Sequence, residues 1–190
     1  MAGPRERMVV SAALLMRERG ARSTAIADVL EHSGAPRGSA YHHFPGGREQ
    51  LLCEAVDYAA GYVADAIAGA SSAVGMLDVA VRFYRKGLLD SDFRAGCPVM
   101  AVAVEAGDPD PRTAAAVQHA ADAFERWNQL IAQRLIADGV SRGKAVELAA
   151  LVIAALEGGL VMARTARDVA PLDAVHKRLR SLLKSETEGN

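Results

Sequence analysis

The chain has 190 residues, 51% of them hydrophobic and 24% charged, with a net charge of −1. That length buries a real core, and the near-neutral balance excludes a protein that holds nucleic acid indiscriminately over its whole surface. Two cysteines, Cys53 and Cys97, fall in separate predicted helices, so no disulfide framework is expected and a reducing cytoplasm fits.

Alanine is abundant and no β-type alternation of useful length occurs, which predicts an all-α fold of about nine helices. The N-terminus, MAGPRERMVV, has no long apolar core or cleavage-type site, so no signal peptide is expected. The most apolar run, Leu148–Ala163, is broken by Glu157-Gly158-Gly159 and falls short of the ~20 residues of a membrane span. The expected protein is soluble, with no membrane partner. Charge is uneven along the chain. Residues 1–52 hold seven arginines against five acids, a balance of +2, and the remainder carries −3. A mildly basic end on an acidic body suits a head that meets DNA.

The first predicted helix is Arg5–Arg19, with Val9, Ala12, Ala13, Leu15 and Met16 on one inward stripe and Arg5 and Arg7 as candidates for phosphate contact. Ile26, Val29 and Leu30 then mark one face of a short helix, with Thr24 placed to cap it. Gly34 supplies the positive φ of a helix end, and Pro36 suits the first turn of a second short helix, Arg37 to Phe44, stopped by Pro45-Gly46-Gly47. Two short helices about a glycine turn make a helix-turn-helix. The second carries Arg37, Ser39, Tyr41, His42 and His43, all suited to bases or phosphates.

A longer helix follows from Arg48 to about Ala70, with Leu51, Leu52, Ala55, Val56 and Ala59 as its apolar stripe, and Ser71-Ser72 breaks it. Met76–Leu89 and Arg94–Ala106 read as two more helices. Gly107-Asp108-Pro109-Asp110-Pro111 is a loop in which Asp110 caps and Pro111 starts one long helix to Asp138, closed by Gly139. Ser141–Arg167 and Pro171–Lys184 complete the count, and Ser185–Asn190 is expected to fray.

The sequence GAPRGSAYHHFPGGREQL resembles the recognition-helix signature of TetR-type transcriptional repressors. Gly34, Gly38, Ser39, Tyr41, His42, His43 and Phe44 match it, and Arg48 stands at its lysine position. Pro-Gly-Gly, with Gly96-Cys97-Pro98-Val99 downstream, is similar to the LmrA/YxaF-like branch. Pro36 replaces a usual capping serine, and Ala40 a larger apolar residue. The resemblance implies a helix-turn-helix head over residues 1–50 and a ligand-binding and dimerisation domain over 51–190. It further implies that Thr24, Tyr41, His43 and Arg48 hold phosphates. Arg37 and Ser39, near the start of the recognition helix, are expected to reach base edges.

For the second domain, Tyr84, Cys97, Met100, Val104, Phe124, Trp127 and Met162 gather sulfur, aromatic and aliphatic side chains on adjacent helices. They form either plain core or an apolar cavity for a small effector. The helix of Ser141–Arg167 is apolar nearly all round, so it must be covered on more than one side. Ala150, Ile153, Ala154, Glu157, Gly158 and Val161, with Val175, Leu179 and Leu182 of the last helix, are the expected homodimer surface; the alternative is that they fill one subunit's own core.

The five histidines show no metal-ligand spacing, and no nucleophile elbow, P-loop or dinucleotide motif occurs. No metal, no cofactor and no catalytic residue is expected. Three readings stand: a ligand-responsive dimeric repressor on a palindromic double-stranded operator, a constitutive DNA-binding regulator, and a helical enzyme or carrier.

Overall fold

The computed structural model describes residues 3–107 and 110–188. Asp108 and Pro109 of the expected loop, and Gly189 and Asn190 of the expected frayed end, lie outside the described residues. Among those described there are nine α-helices, a single 3-10 turn and no strand.

The chain divides into two compact units. The first comprises residues up to Gly61 together with Cys97–Ala123. Helix α1, Pro4–Arg19, starts with proline at its first turn, where a missing N–H costs nothing, and buries Met8, Val9, Ala12, Ala13 and Met16. Gly20 ends it at φ +81°, donating its N–H to the Met16 carbonyl. Helix α2, Ile26–Ser33, closes on Gly34 in the left-handed conformation. Its N-cap is Ala25, not Thr24. The Asp28 carboxylate takes the Ala25 N–H at 3.4 Å, and the Thr24 hydroxyl instead donates to the Gly20 carbonyl at 2.8 Å.

Helix α3 is shorter than its periodicity suggests, Ser39–His43, because the Pro36 carbonyl accepts both the Ser39 N–H and the Ser39 hydroxyl in a tight turn. Helix α4, Gly47–Ala68, follows, with Leu51, Leu52, Ala55 and Val56 buried. Helix α6, Pro98–Ala103, runs straight into the 3-10 turn Val104–Gly107, and the first part of α7, Ala114–Ala137, completes this unit. The predicted start of α7 at Pro111 moves to Ala114. Asp110 does cap, accepting the Arg112 N–H on its side chain at 2.9 Å, but it closes a turn through Pro111–Thr113 first.

The second unit comprises Tyr62–Gly96 and the chain from Phe124. Helix α5, Ala73–Asp90, is capped by the Ser72 side chain on the Gly75 N–H, and Asp138 takes the Ala73 N–H at 2.6 Å. The helix expected over Arg94–Ala106 does not start there. Asp92 and Phe93 both adopt left-handed φ, and a helix resumes only at Pro98. Helix α8, Arg142–Ala166, and α9, Ala170–Glu188, pack against each other. Helix α9 continues past the expected fraying point to Glu188, tied by the Thr187 hydroxyl to Leu183 O and by the Lys144–Glu186 ion pair. Asp78 of α5 receives hydrogen bonds from His176 Nε2 at 2.6 Å and Arg180 Nε at 3.2 Å of α9. Partial burial acts to raise this carboxyl's pKa, but the two donors overcome it and hold the pKa below the usual carboxylate value.

By length and apolarity α8 does meet the requirement for a membrane span, contrary to the sequence expectation. Its apolarity has another cause, since one side packs into its own unit, where Leu148, Val152, Leu156, Leu160 and the Glu157 carboxylate are buried. The paired glycines on α8 separate in role. A Cβ on Gly158 would meet nothing within 4 Å, whereas one on Gly159 would lie 3.1 Å from Val175 Cγ2 of α9. The close approach expected from a partner helix is therefore made at Gly159 by the chain itself. Gly159→Val is expected to cost about 1–3 kcal/mol of stability by overpacking this contact. Gly61→Ala, in open space within α4, should gain up to about 1 kcal/mol from helix propensity. Urea unfolding of the two variants checks both signs.

Candidate nucleic-acid interface

The recognition segment owes its position to two small features beneath it. Ala40 and Phe44 are each 1% exposed and anchor α3 in the head core. Arg5 lies over the Phe44 ring, 5.4 Å from its centroid, and pairs with Glu54 at 2.7 Å. Arg7 donates to the Ser33 carbonyl at 3.2 Å. Both contacts brace α1 against its neighbours.

The opposite side of α3 is open. Tyr41 is 70% exposed, and Arg37, Gly38 and His42 are exposed beside it. His43 is half-buried with its ring edge-on to His42, centroids 5.1 Å apart. The Ser39 hydroxyl is committed to Pro36 O at 2.7 Å. A groove between α2 and α3, lined by Ile26, Ala27, Leu30, Glu31, Gly34, Ala35, Arg37 and Tyr41, lies at this face.

Two residues expected at phosphates turn inward instead. Thr24 is fully buried, its hydroxyl spent on Gly20. Arg48 donates from Nε to Thr24 O at 2.8 Å, from Nη2 to Arg22 O at 3.2 Å and also to Ala21 O, and from Nη1 to Arg112 O at 3.2 Å. Burial, then the neighbouring Arg112 charge, pull its pKa below the ordinary arginine value. Sequence reasoning missed the other partners of this turn. Glu105 Oε1 accepts the Arg22 N–H at 3.1 Å, and the carboxylate pairs with the Arg22 guanidinium at 3.8 Å. Arg112 is held by Asp110 at 2.7 Å, an exposed pair that brings the Asp110 pKa to about 2. Contacts 64 or 83 residues apart leave no local pattern to find.

The residues expected at an effector divide between the units. Within the second unit a small cavity of about 50 Å³ is lined by Tyr84 and Trp127, and by Val63, Ile67, Met76, Leu77, Ala80, Ile131, Val152, Ile153, Leu156 and Glu157. Phe124 stacks edge-on to Trp127 at 5.4 Å. Met162 is corrected to the outer face of α8, 61% exposed. Cys97, Met100 and Val104 belong to the first unit, with Cys97 buried and Val104 65% exposed. Cys53 and Cys97 are both buried thiols with no disulfide between them, and burial pushes the Cys53 thiol up.

The expected dimer residues divide as well. Ala150, Ala154, Gly158 and Val161 are exposed on α8, joined by Leu151 and Met162. Ile153 and Glu157 line the cavity, Ile153 half-buried and Glu157 buried. Leu179 is 4% exposed in the unit's core, Val175 fills the space over Gly159, and Leu182 is half-buried. The buried stripe of α9 is Leu172, Leu179 and Leu183, which turns these side chains into their own subunit.

Among the described residues no group of three or more histidine, cysteine or acidic side chains is arranged to hold a metal. A three-helix head presenting an open, basic and aromatic segment after a glycine turn defines a helix-turn-helix DNA-binding protein. Comparison with known proteins gives the family. Residues 9–55 match the model described as bacterial regulatory proteins, tetR family, and residues 73–178 match the LmrA/YxaF-like transcriptional regulator C-terminal domain. The chain belongs to the TetR family of transcriptional regulators, in its LmrA/YxaF-like branch, and not to an enzyme family. It is 60% identical over 188 residues to an uncharacterized HTH-type transcriptional regulator of Mycobacterium tuberculosis, covering 98% of this chain and 97% of that one. It is 30% identical over 185 residues to the HTH-type transcriptional regulator LmrA of Bacillus subtilis, covering 95% and 96%. In fold it resembles a TetR regulator from Legionella pneumophila at TM-score 0.81, with 20% identity and 96% and 98% of the two chains covered.

Proposed function

We propose that this regulator is a cytoplasmic homodimeric repressor that holds an inverted-repeat operator and is released by a small apolar or amphipathic effector. The observation that carries the reading is the exposed row on α8: Ala150, Leu151, Ala154, Gly158, Val161 and Met162. Small and apolar side chains at 3–4 spacing, left uncovered on a 25-residue helix, suit the isologous contact of a second copy. Two copies present two recognition segments, which fit half-sites about 34–36 Å apart or a multiple of that. The effector half of the reading is supported by the apolar cavity around Trp127, with the Glu157 carboxylate in its wall.

Arg37, in the turn before α3, and Tyr41 of α3 take the leading roles, because they are exposed and flank the groove. The experiment is selection of duplexes from a random-sequence pool by the purified protein. An inverted repeat is expected, and a single unpaired site would overturn the dimeric reading. Arg37→Ala should cost about 1–3 kcal/mol on the selected duplex and relax preference at one base pair. Equal losses on every sequence would reassign Arg37 to phosphate.

A further inference from the structure

The turn between α1 and α2, residues 20–25, is held by more polar contacts than its six residues would make alone. Thr24 occupies the Gly20 carbonyl, and Arg48 occupies those of Ala21, Arg22 and Thr24. Glu105 takes the Arg22 N–H, and its carboxylate sits so close that a Cβ on Gly20 would lie 2.7 Å from Oε1. Gly20 supplies the positive φ of the turn, and its missing Cβ leaves the Glu105 carboxylate room to reach the Arg22 N–H. The holding groups come from elsewhere in the same unit: Arg48 from α4, Glu105 from the 3-10 turn, and the Arg112 carbonyl from the turn before α7.

We propose that Arg48 and Glu105 are positioning residues for DNA binding. Together they clamp the α1–α2 turn, and Arg48 acts on operator affinity through that turn and not by touching a phosphate. Four of the five guanidinium N–H donors already go to backbone carbonyls, which leaves Arg48 without the two-donor fork that arginine commonly presents to a phosphate. The planar spread of an arginine is what reaches carbonyls of residues 21, 22, 24 and 112 at once; a lysine ammonium offers three donors from a single point. The turn sets where α2 begins, and α2 with α3 is the helix-turn-helix, so the clamp bears on the head as it meets DNA. The inference rests on the DNA-binding reading of the family and adds a division of labour within it.

The test uses the full chain and a duplex selected by the wild-type protein, with affinity measured from about 50 to 200 mM salt. Arg48→Ala, Arg48→Lys and Glu105→Ala should each lose about tenfold in affinity with the salt slope unchanged. Glu105→Gln should stay near wild type, because its amide oxygen still accepts the Arg22 N–H. A slope shallower by about 0.9 in Arg48→Ala, with Arg48→Lys at wild-type affinity, would return Arg48 to a phosphate and overturn the proposal. The glutamate pair decides independently if the Arg48 variants fail to fold: Glu105→Ala at wild-type affinity also overturns it. Amide hydrogen exchange separates the clamp from the DNA reading. Faster exchange at Arg22 in Glu105→Ala is expected whether or not any duplex is selected, and unchanged exchange sinks the clamp.

Discussion

Ala154→Arg is expected to convert the protein to monomers and to lower operator affinity by about 100-fold or more. Ala154 is exposed near the middle of α8, with Ala150 and Leu151 one turn before it and Gly158 one turn after. In a two-fold contact each substitution enters the interface twice, so two guanidinium groups lose water opposite apolar surface. An unpaired charge buried in this way costs several kcal/mol, enough to dissociate a standard interface. The isolated subunit should tolerate the change, because the side chain points to solvent and arginine is a good helix former. Loss of DNA binding then follows from lost linkage, since each recognition segment alone no longer benefits from the effective concentration its tethered twin provides. Sedimentation at micromolar concentration reads the first effect and a titration of the selected duplex the second. A dimer that survives Ala154→Arg with full operator affinity would remove α8 from the interface.

The head was legible in the sequence because its signals are local. A cap region, Gly34, Pro36, the aromatic run Tyr41–Phe44 and Pro45-Gly46-Gly47 each report their own few residues, and the structure follows them to within a turn. Roles that depend on distant contacts were not legible. Thr24 and Arg48 carry the right chemistry for phosphates, yet carbonyls of the α1–α2 turn and the 3-10 turn carrying Glu105 claim that region first. Helix α8 shows a second limit. It is apolar on both sides, so residue type alone does not separate Leu156 in the core from Leu151 on the surface, nor Gly159 under Val175 from Gly158 in the open. The break at Asp92 and Phe93 was hidden for a third reason, since aspartate enters the left-handed conformation more readily than most residues but a bulky phenylalanine beside it does not.

An effector that binds beside Trp127 is expected to lower operator affinity roughly 5–150-fold, a coupling of about 1–3 kcal/mol. Trp127 is 2% exposed and lines the apolar cavity of the second unit, so occupancy should change its fluorescence. That cavity, at about 50 Å³, is far below the ~300 Å³ or more of a typical ligand pocket. An effector of ordinary size placed there is expected to displace lining side chains such as Tyr84, Met76 or Ile67. Ile67 lies on α4, and α4 is one unbroken helix whose other end carries Arg48 and its hold on the α1–α2 turn. Displacing the Ile67 end is the step expected to disturb the head, and with it the match between two recognition segments and one inverted repeat. Only a ligand that prefers the displaced state shifts the population, and by linkage the operator must weaken effector binding by the same factor. Val152→Phe, adding bulk to the cavity wall, should abolish the fluorescence response while leaving operator affinity within a few-fold. A compound screen that follows Trp127 fluorescence and operator binding together decides the matter. If compounds that quench Trp127 leave operator affinity unchanged, the sensing mechanism fails and a constitutive DNA-binding dimer takes its place.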